Sequence, residues 1–409
     1  MSKTDNSFRS LATIVTTASS IIRAGAGLYL PAIPIIAEVL NISDSNMGLT
    51  LIVYFIVFSV FILIAGPLSD AYGRKKIILL GIGVFSTGSL ICGLAGSFGI
   101  LLTGRIIQAV GASMIPGTSR AAVRDVGNDL QVISVIGWMS VLGSIMLVGA
   151  PIIGGIITQY FHWSGNFFLL SVLGFMILIM TTIKMRESLP KNKRIQLSIR
   201  TALQTYTRML SSAKFLLVLL PVVLCFLFQG IYLVTAPFIF MREFSLSPVQ
   251  FGMSNIIIVI ALAIGRYISM ASVRRSSTAI GYKVAAYISL ISVLFFGLIL
   301  FIDNTSLILV FISIGVFATA FGTLSPIGMK ESITIFSKQS GMASALQGSL
   351  LLGATAFGSG IASFIMKILP EISALQIFAY SSLIIVLVTT IVSLFTARML
   401  VLENLKNND

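Results

Sequence analysis

The chain has 409 residues, of which 56% are apolar and 10% charged, and its formal net charge is +14. This composition, with a mean hydropathy of +1.03, excludes a soluble domain of such length, because repeated apolar runs of about 20 residues are typical of membrane-spanning helices. The basic excess first suggests a nucleic-acid partner, but its distribution along the chain argues against one.

Twelve apolar runs predict twelve transmembrane helices, so the expected fold class is an all-α polytopic membrane protein. The first ten residues are polar and the first apolar run lacks a cleavage site, so no cleavable signal is expected. The spans are predicted at 11–37, 47–69, 77–95, 99–119, 132–157, 167–183, 215–240, 251–273, 284–302, 307–329, 341–366 and 374–397.

The placement of Lys and Arg predicts the orientation of these spans. With both termini in the cytoplasm, cytoplasmic segments hold 22 of the 27 basic residues and external loops hold two, while Arg23, Arg105 and Arg266 fall within spans. No Asp or Glu falls inside a predicted span. This positive-inside pattern predicts a multi-pass protein of a bacterial-type inner membrane and accounts for the net charge without nucleic acid.

The longest polar segment divides the chain into two sets of six spans. We therefore predict an N-terminal bundle at 1–183, a cytoplasmic linker at 184–214 and a C-terminal bundle at 215–409, related by duplication. GLYLPAIP from Gly27 matches GIYLVTAP from Gly230 at an offset of 203, and further matches in spans 2 and 5 have an offset of 204. Arg23 then corresponds to Phe226, so the shared architecture does not require the arginine.

The sequence offers little with which to build an enzyme. It has one histidine, His162, in an outer loop, and its two cysteines, Cys92 and Cys225, lie in apolar runs. An active site needs convergent acids, bases or nucleophiles, so we expect no catalytic residue, metal or cofactor. The expected partners are membrane lipid and a small-molecule substrate, with protons as a candidate coupling ion, and the expected state is a monomer.

The loop after span 2 reads GPLSDAYGRKK, from Gly66 to Lys76. Asp70 can face the positive end of a helix, and the basic residues from Arg74 onward hold the loop in the cytoplasm. The loop resembles the signature motif of the major facilitator superfamily, with Ala71 where that family usually has a basic residue. The resemblance implies two pseudo-symmetric six-helix bundles, and a gating role for Asp70 and Arg74.

Two further motifs lie in spans 4 and 5. Arg105 and Gln108 share one helix face and resemble the family's second motif, which implies a proton-coupling role for the arginine. The alternative is that Arg105 extends outward to the membrane surface. In span 5, the stretch from Gly149 to Gly155 resembles the family's antiporter motif, in which Pro151 bends the helix. The resemblance implies a proton-coupling or gating role for Pro151.

Residues 25–170, including YLPAIP and Arg124-Asp125, resemble the Bcr/CflA-type drug-efflux branch of this superfamily. The resemblance implies a drug or metabolite exporter driven by inward proton flow, with Asp125 in the gating machinery. In that branch an Asp commonly stands two residues before the Tyr of YLP, and it is the expected proton site. Here Gly27 occupies that position, and Arg23 lies one turn earlier on the same face.

An intramembrane charge usually faces a cavity or pathway, and arginine there favours an anionic ligand. We therefore predict that Arg23 binds substrate; the alternative is that it bonds backbone carbonyls or stacks on an aromatic ring. Gln229, Asn255 and Gln347 are polar groups in spans 7, 8 and 11 that line a pocket or, alternatively, join helices by hydrogen bonds. The other predicted substrate-binding positions are Gly27, Tyr29, Gln108 and Tyr232.

These features predict a secondary transporter working by alternating access, an efflux pump for an anionic or zwitterionic small molecule such as a carboxylate siderophore, an organic acid or an antibiotic. The alternative is an uptake transporter or an uncoupled facilitator for an organic anion.

Overall fold

A computed structural model describes residues 3–195, 199–275, 277–302 and 305–406. The described residues are overwhelmingly helical and contain no strand. The α-helices, numbered in chain order, are α1 Lys3–Tyr29, α2 Ile33–Val39, α3 Asp44–Tyr72, α4 Arg74–Gly93, α5 Phe98–Ser113, α6 Ile115–Val126, α7 Asp129–Tyr160, α8 Ser164–Lys184, α9 Ile199–Leu210, α10 Ala213–Phe238, α11 Pro248–Arg275, α12 Thr278–Phe301, α13 Leu307–Ile335, α14 Ser340–Ile368 and α15 Ala374–Lys406.

Twelve helical segments are long and apolar enough to cross a membrane, which confirms the predicted number of spans. Two of them contain a break between α-helices at proline-bearing segments. The first runs from Phe8 to Val39 through a 3-10 turn at Leu30–Ala32, and the fourth joins α5 to α6 at Met114. Proline has no backbone N–H to donate, so the regular hydrogen-bond ladder is interrupted there.

Most helices begin before the apolar run that predicted them, and at three of these starts a polar side chain accepts from a backbone N–H group of the first turn. Ser43 Oγ accepts from the Asn46 amide at 3.4 Å at the start of α3. Asn128 and Gln131 form a reciprocal capping box at the start of α7. Such a cap stabilises a helix by about 1 kcal/mol, so hydropathy alone places these helix starts too late.

Internal contacts divide the chain into two units. The first comprises Met1–Thr205 with Leu246–Met253, and the second Tyr206–Ser245 with Ser254–Asp409. The division after Thr205 falls inside α9, an amphipathic helix within the segment that the sequence interpretation treats as the linker.

Inside the first unit, the main helix pairs are α4 with α5, α1 with α7, and α4 with α8. The α4–α5 pair approaches closely because glycines face the opposite backbone. A Cβ atom built on Gly88 would lie 2.3 Å from the Gln108 backbone nitrogen, and one on Gly111 would lie 2.2 Å from that of Phe85. Small residues of this kind allow membrane helices to pack backbone against backbone.

Inside the second unit, the main pairs are α12 with α13, α10 with α14, and α12 with α15. Counted as spans, these are the pairs 9–10, 7–11 and 9–12, which repeat the 3–4, 1–5 and 3–6 pairs of the first unit. Ser359 Oγ donates to the Gly230 carbonyl at 3.0 Å in the span 7–11 pair. The internal packing therefore agrees with the duplicated six-helix bundles that the offset of 203–204 predicted.

Candidate functional site

The most deeply buried charge in the first unit is Arg105 of α5, which has no exposed surface. Its Nη1 donates to Gln108 Oε1 at 2.6 Å, and Gln108 Nε2 donates to Ser89 Oγ of α4 at 2.8 Å. The close α4–α5 packing holds these three side chains together. The alternative that Arg105 extends to the membrane surface is wrong, because its guanidinium points into the unit.

Two tyrosine rings flank the Arg105 guanidinium. Its Cζ lies 4.6 Å from the centroid of Tyr29 in α1 and 4.2 Å from that of Tyr54 in α3. Tyr29 is fixed in turn by a 2.7 Å hydrogen bond between its hydroxyl and Thr50 Oγ1. A desolvated cation–π contact contributes about 2 kcal/mol, whereas burying an ion costs several kcal/mol, so two rings compensate only part of the burial.

Arg23 lies six residues before Tyr29 in α1 and has an exposed side chain. Its guanidinium lies against α7, since a Cβ built on Gly143 would be 2.8 Å from Arg23 Nη1. Arg120 of α6 is half-buried and experiences the charges of both Arg23 and Arg124. Arg23 and Arg120 therefore lie within electrostatic reach of one another, and we call them the Arg23–Arg120 group; sequence interpretation missed Arg120.

Gly27, one turn after Arg23, lies where α1 approaches α7. A Cβ at this position would be 2.9 Å from Ala150 Cβ and 3.1 Å from Pro151 Cδ. Pro151 also lies against the first turn of α11, because a Cβ on Gly252 would be 2.4 Å from the Pro151 carbonyl oxygen. Gly27 and Pro151 thus form a close helix contact, and their predicted substrate-binding and gating roles stay predictions.

At the loop between α3 and α4, three of the predicted gating residues, Asp70, Arg74 and Asp125, form one charged network. Arg74 is buried and pairs with Asp70 and, through Nε at 2.9 Å, with Asp125 Oδ2 of α6. Its Nη1 also donates to Ser69 Oγ at 2.6 Å. The Arg74 guanidinium therefore joins the ends of α3, α4 and α6. A planar group with several donors can make all of these contacts at once, which favours arginine over lysine at this position.

Glu187, from the segment after α8, completes this network and was not among the predicted site residues. Its Oε1 accepts from the backbone N–H groups of Arg74 at 2.9 Å and Lys75 at 3.4 Å, and its Oε2 lies 3.6 Å from Arg194 Nη2. The carboxylate therefore caps the N-terminus of α4, where a negative charge is stabilising. One signal was available in the sequence, since Glu187 is the only acidic residue between 184 and 214.

In the second unit, the predicted polar positions lie in separate contacts. Tyr232 and Asn255 are buried, and the tyrosine hydroxyl donates to Asn255 Oδ1 at 3.5 Å. Gln347 is buried and donates from Nε2 to Ser332 Oγ at 2.9 Å. Gln229 is half-buried. The Gln347 contact is of the helix-joining kind, and substrate contact by all four predicted residues stays a prediction.

A sequence model described as Major Facilitator Superfamily matches residues 15–330. The chain is 30% identical over 247 residues to an uncharacterised MFS-type transporter, YdgK, of Bacillus subtilis, covering 59% of this chain and 61% of the relative. It is 31% identical over 167 residues to the multidrug resistance protein MdtL of Salmonella typhi, covering 41% and 42%. The chain therefore matches less than two thirds of the length of either relative.

Solved structures share the fold at low sequence identity. The chain is 18% identical to the human organic anion transporter MFSD10 (TETRAN), with a TM-score of 0.66 over 94% of this chain and 99% of that one. It is 16% identical to a bacterial homologue of the human lysosomal transporter Spinster in an inward-facing, unoccupied conformation, with a TM-score of 0.72 over 97% and 98%. At these identities the likeness establishes the fold alone.

Proposed function

Since this chain belongs to the Major Facilitator Superfamily, and is a multi-pass membrane transporter rather than an enzyme, we propose that it exports an anionic or zwitterionic small molecule by alternating access. The export direction is supported by the similarity to the MdtL multidrug resistance proteins. The substrate class is supported by the charges in the first unit.

The observation that carries the proposal is Arg23, an exposed guanidinium within a membrane span that lies against α7, with Arg120 within its electrostatic reach. Two guanidinium groups that repel one another are stabilised when an anion lies between them. Arg23 is exposed although it lies within a membrane span, and intramembrane charges face water-filled cavities rather than lipid. A positive cavity wall repels lipophilic cations, so carboxylate siderophores, organic acids and acidic antibiotics are the favoured substrates.

Proton coupling is the second part of the proposal, and it requires a site other than the one usual in the efflux branch. Gly27 has no titratable group, so the proton has to bind a carboxylate near the cytoplasmic loops, such as Asp70 or Asp125, or travel with the substrate. Inward proton flow then drives export.

A second candidate is an uptake transporter or an uncoupled facilitator for an organic anion. The observation that favours it is the glycine at position 27, because a facilitator needs no proton site. Flux into proteoliposomes, measured with and without an imposed pH gradient, separates the candidates. A gradient-driven flux supports antiport, whereas flux that is indifferent to a gradient of either sign overturns it and favours the facilitator.

The substrate class is tested by exchange of labelled organic anions and cations in the same vesicles. Losing a charge-assisted bond costs about 1.5–3 kcal/mol, which corresponds to a roughly 10- to 150-fold weaker apparent affinity. We expect Arg23→Lys to weaken anion transport and Arg23→Gln or Arg120→Gln to weaken it further, because only arginine offers two parallel donors to a carboxylate.

Arg266→Gln is the matched control, since Arg266 is also an exposed arginine within a span but lies in the second unit. It should transport anions like the parent. The proposal is overturned if Arg23→Gln, inserted at parental levels, exchanges every tested anion as well as the parent does.

A further inference from the structure

One edge of the buried Arg105 guanidinium makes no hydrogen bond. Nη1 donates to Gln108 Oε1. Nε and Nη2 are fully buried and have no hydrogen-bond partner among the described residues. Nε–H and one N–H of Nη2 point the same way along a single edge of the planar group. That edge is the one with which arginine holds a carboxylate by two parallel bonds.

The surroundings of the Arg105 guanidinium supply cation–π contacts, but no described residue forms an ion pair with it. Tyr29 and Tyr54 flank the guanidinium. The carboxylates of Asp70 and Asp125 pair instead with Arg74. No Asp or Glu occurs between Arg74 and Asp125, where α4, α5 and most of α6 lie, nor between Asp5 and Glu38 in α1.

A buried ion whose donors are unsatisfied is strongly unfavourable unless an opposite charge reaches it. We propose that the Nε/Nη2 edge of Arg105 binds a small anion, of the halide or formate class, as the counter-ion that the chain does not provide. Because Arg105 has no exposed surface, the ligand that we propose is an ion of a few atoms rather than a bulky substrate. This site is separate from the Arg23–Arg120 group and does not depend on the transported molecule.

The first measurement uses the purified full-length chain in detergent, at constant ionic strength, with sodium gluconate replaced stepwise by chloride, bromide or formate. A ligand that binds only the folded state raises the melting temperature with the logarithm of its concentration. We expect this rise for all three small anions, together with saturable binding of radioactive chloride. A melting temperature that is the same in gluconate and chloride, with no saturable binding, overturns the proposal.

Two variants locate the binding. Arg105→Gln removes the charge, whereas Arg105→Lys keeps a charge but loses the two-donor edge. If Arg105→Gln does not fold, Arg105→Lys is used for the measurement. Both should lose chloride binding and the melting shift. Arg23→Gln should retain both, which separates this site from the proposed substrate site. Retention of chloride binding in either Arg105 variant overturns the assignment.

A competition experiment tests whether the anion at this edge is a small resident counter-ion or the carboxylate of the transported substrate, because a two-donor arginine edge recognises either group. Bulky organic carboxylates that are transported should leave bound radioactive chloride in place, whereas formate should displace it. Displacement by the transported carboxylate at its transport concentration would overturn the counter-ion role and make Arg105 a substrate contact.

Discussion

The close packing of α4 on α5 leads to a quantitative prediction at Gly88. A Cβ at this position would lie 2.3 Å from the backbone nitrogen of Gln108 and 2.7 Å from its Cα, whereas non-bonded heavy atoms prefer about 3.5–4.0 Å. Gly88→Ala therefore forces the two backbones apart by about 1 Å. Overpacking of this kind costs roughly 1–3 kcal/mol, and a rigid backbone neighbour places the cost near the upper limit.

Alanine also gains about 1 kcal/mol of helix propensity over glycine, so the expected net destabilisation of the α4–α5 contact is about 2 kcal/mol. Cys92, one turn after Gly88, reports this change because its side chain is fully buried. The other cysteine, Cys225, is buried in the second unit, and Cys225→Ala leaves Cys92 as the single thiol. Labelling of a buried thiol by a maleimide requires local opening of the structure. If opening becomes easier by about 2 kcal/mol, labelling of Cys92 should be about 30-fold faster.

Gly83→Ala is the matched control on the same helix. Its added Cβ would meet only side-chain carbons of Leu178, at 3.9 Å, so labelling of Cys92 should be unchanged or slower. If Gly88→Ala labels no faster than the parent, or if both variants accelerate labelling equally, the close backbone contact is not what holds α4 and α5 together.

Three further predictions concern other contacts. Gly27→Asp should lower the yield of folded protein, because the new side chain meets Ala150 Cβ. Ala150→Gly in the same chain should restore part of the yield. Equal yields of the parent, the single variant and the double variant would contradict the close contact. Glu187→Ala should destabilise the start of α4 by about 1–2 kcal/mol, because a charged cap is lost, and Glu187→Gln should destabilise it by less. Thermal unfolding in detergent checks this, and melting temperatures equal to the parent's for both variants would show that the cap is dispensable. A cysteine at Ser43 should react with an impermeant reagent added outside cells and one at Asn192 should not, and the reverse pattern would refute cytoplasmic termini.

The sequence by itself determined the class, the number of spans and the internal repeat. The hydropathy of a residue describes its preference for lipid or water and does not depend on its neighbours in the fold. Twelve apolar runs therefore predict twelve helices without any knowledge of their contacts. The repeat was readable because Gly27 and Gly230 stand at equivalent positions of matching spans, and both lie where two helices approach closely. Helix starts were less accurate, because caps such as Ser43 and Asn128 extend helices past their apolar runs.

Only the tertiary structure decided which side chains meet. Arg105 was expected to share a helix face with Gln108, and it does, but its position between Tyr29 and Tyr54 depends on how three helices are rotated against one another. The same holds for Arg23 beside Arg120, and for Glu187 at the start of α4. Sequence periodicity fixes which residues share a face of one helix. Which neighbouring helix this face contacts depends on how the helices pack through their glycines. No local sequence pattern encodes that packing.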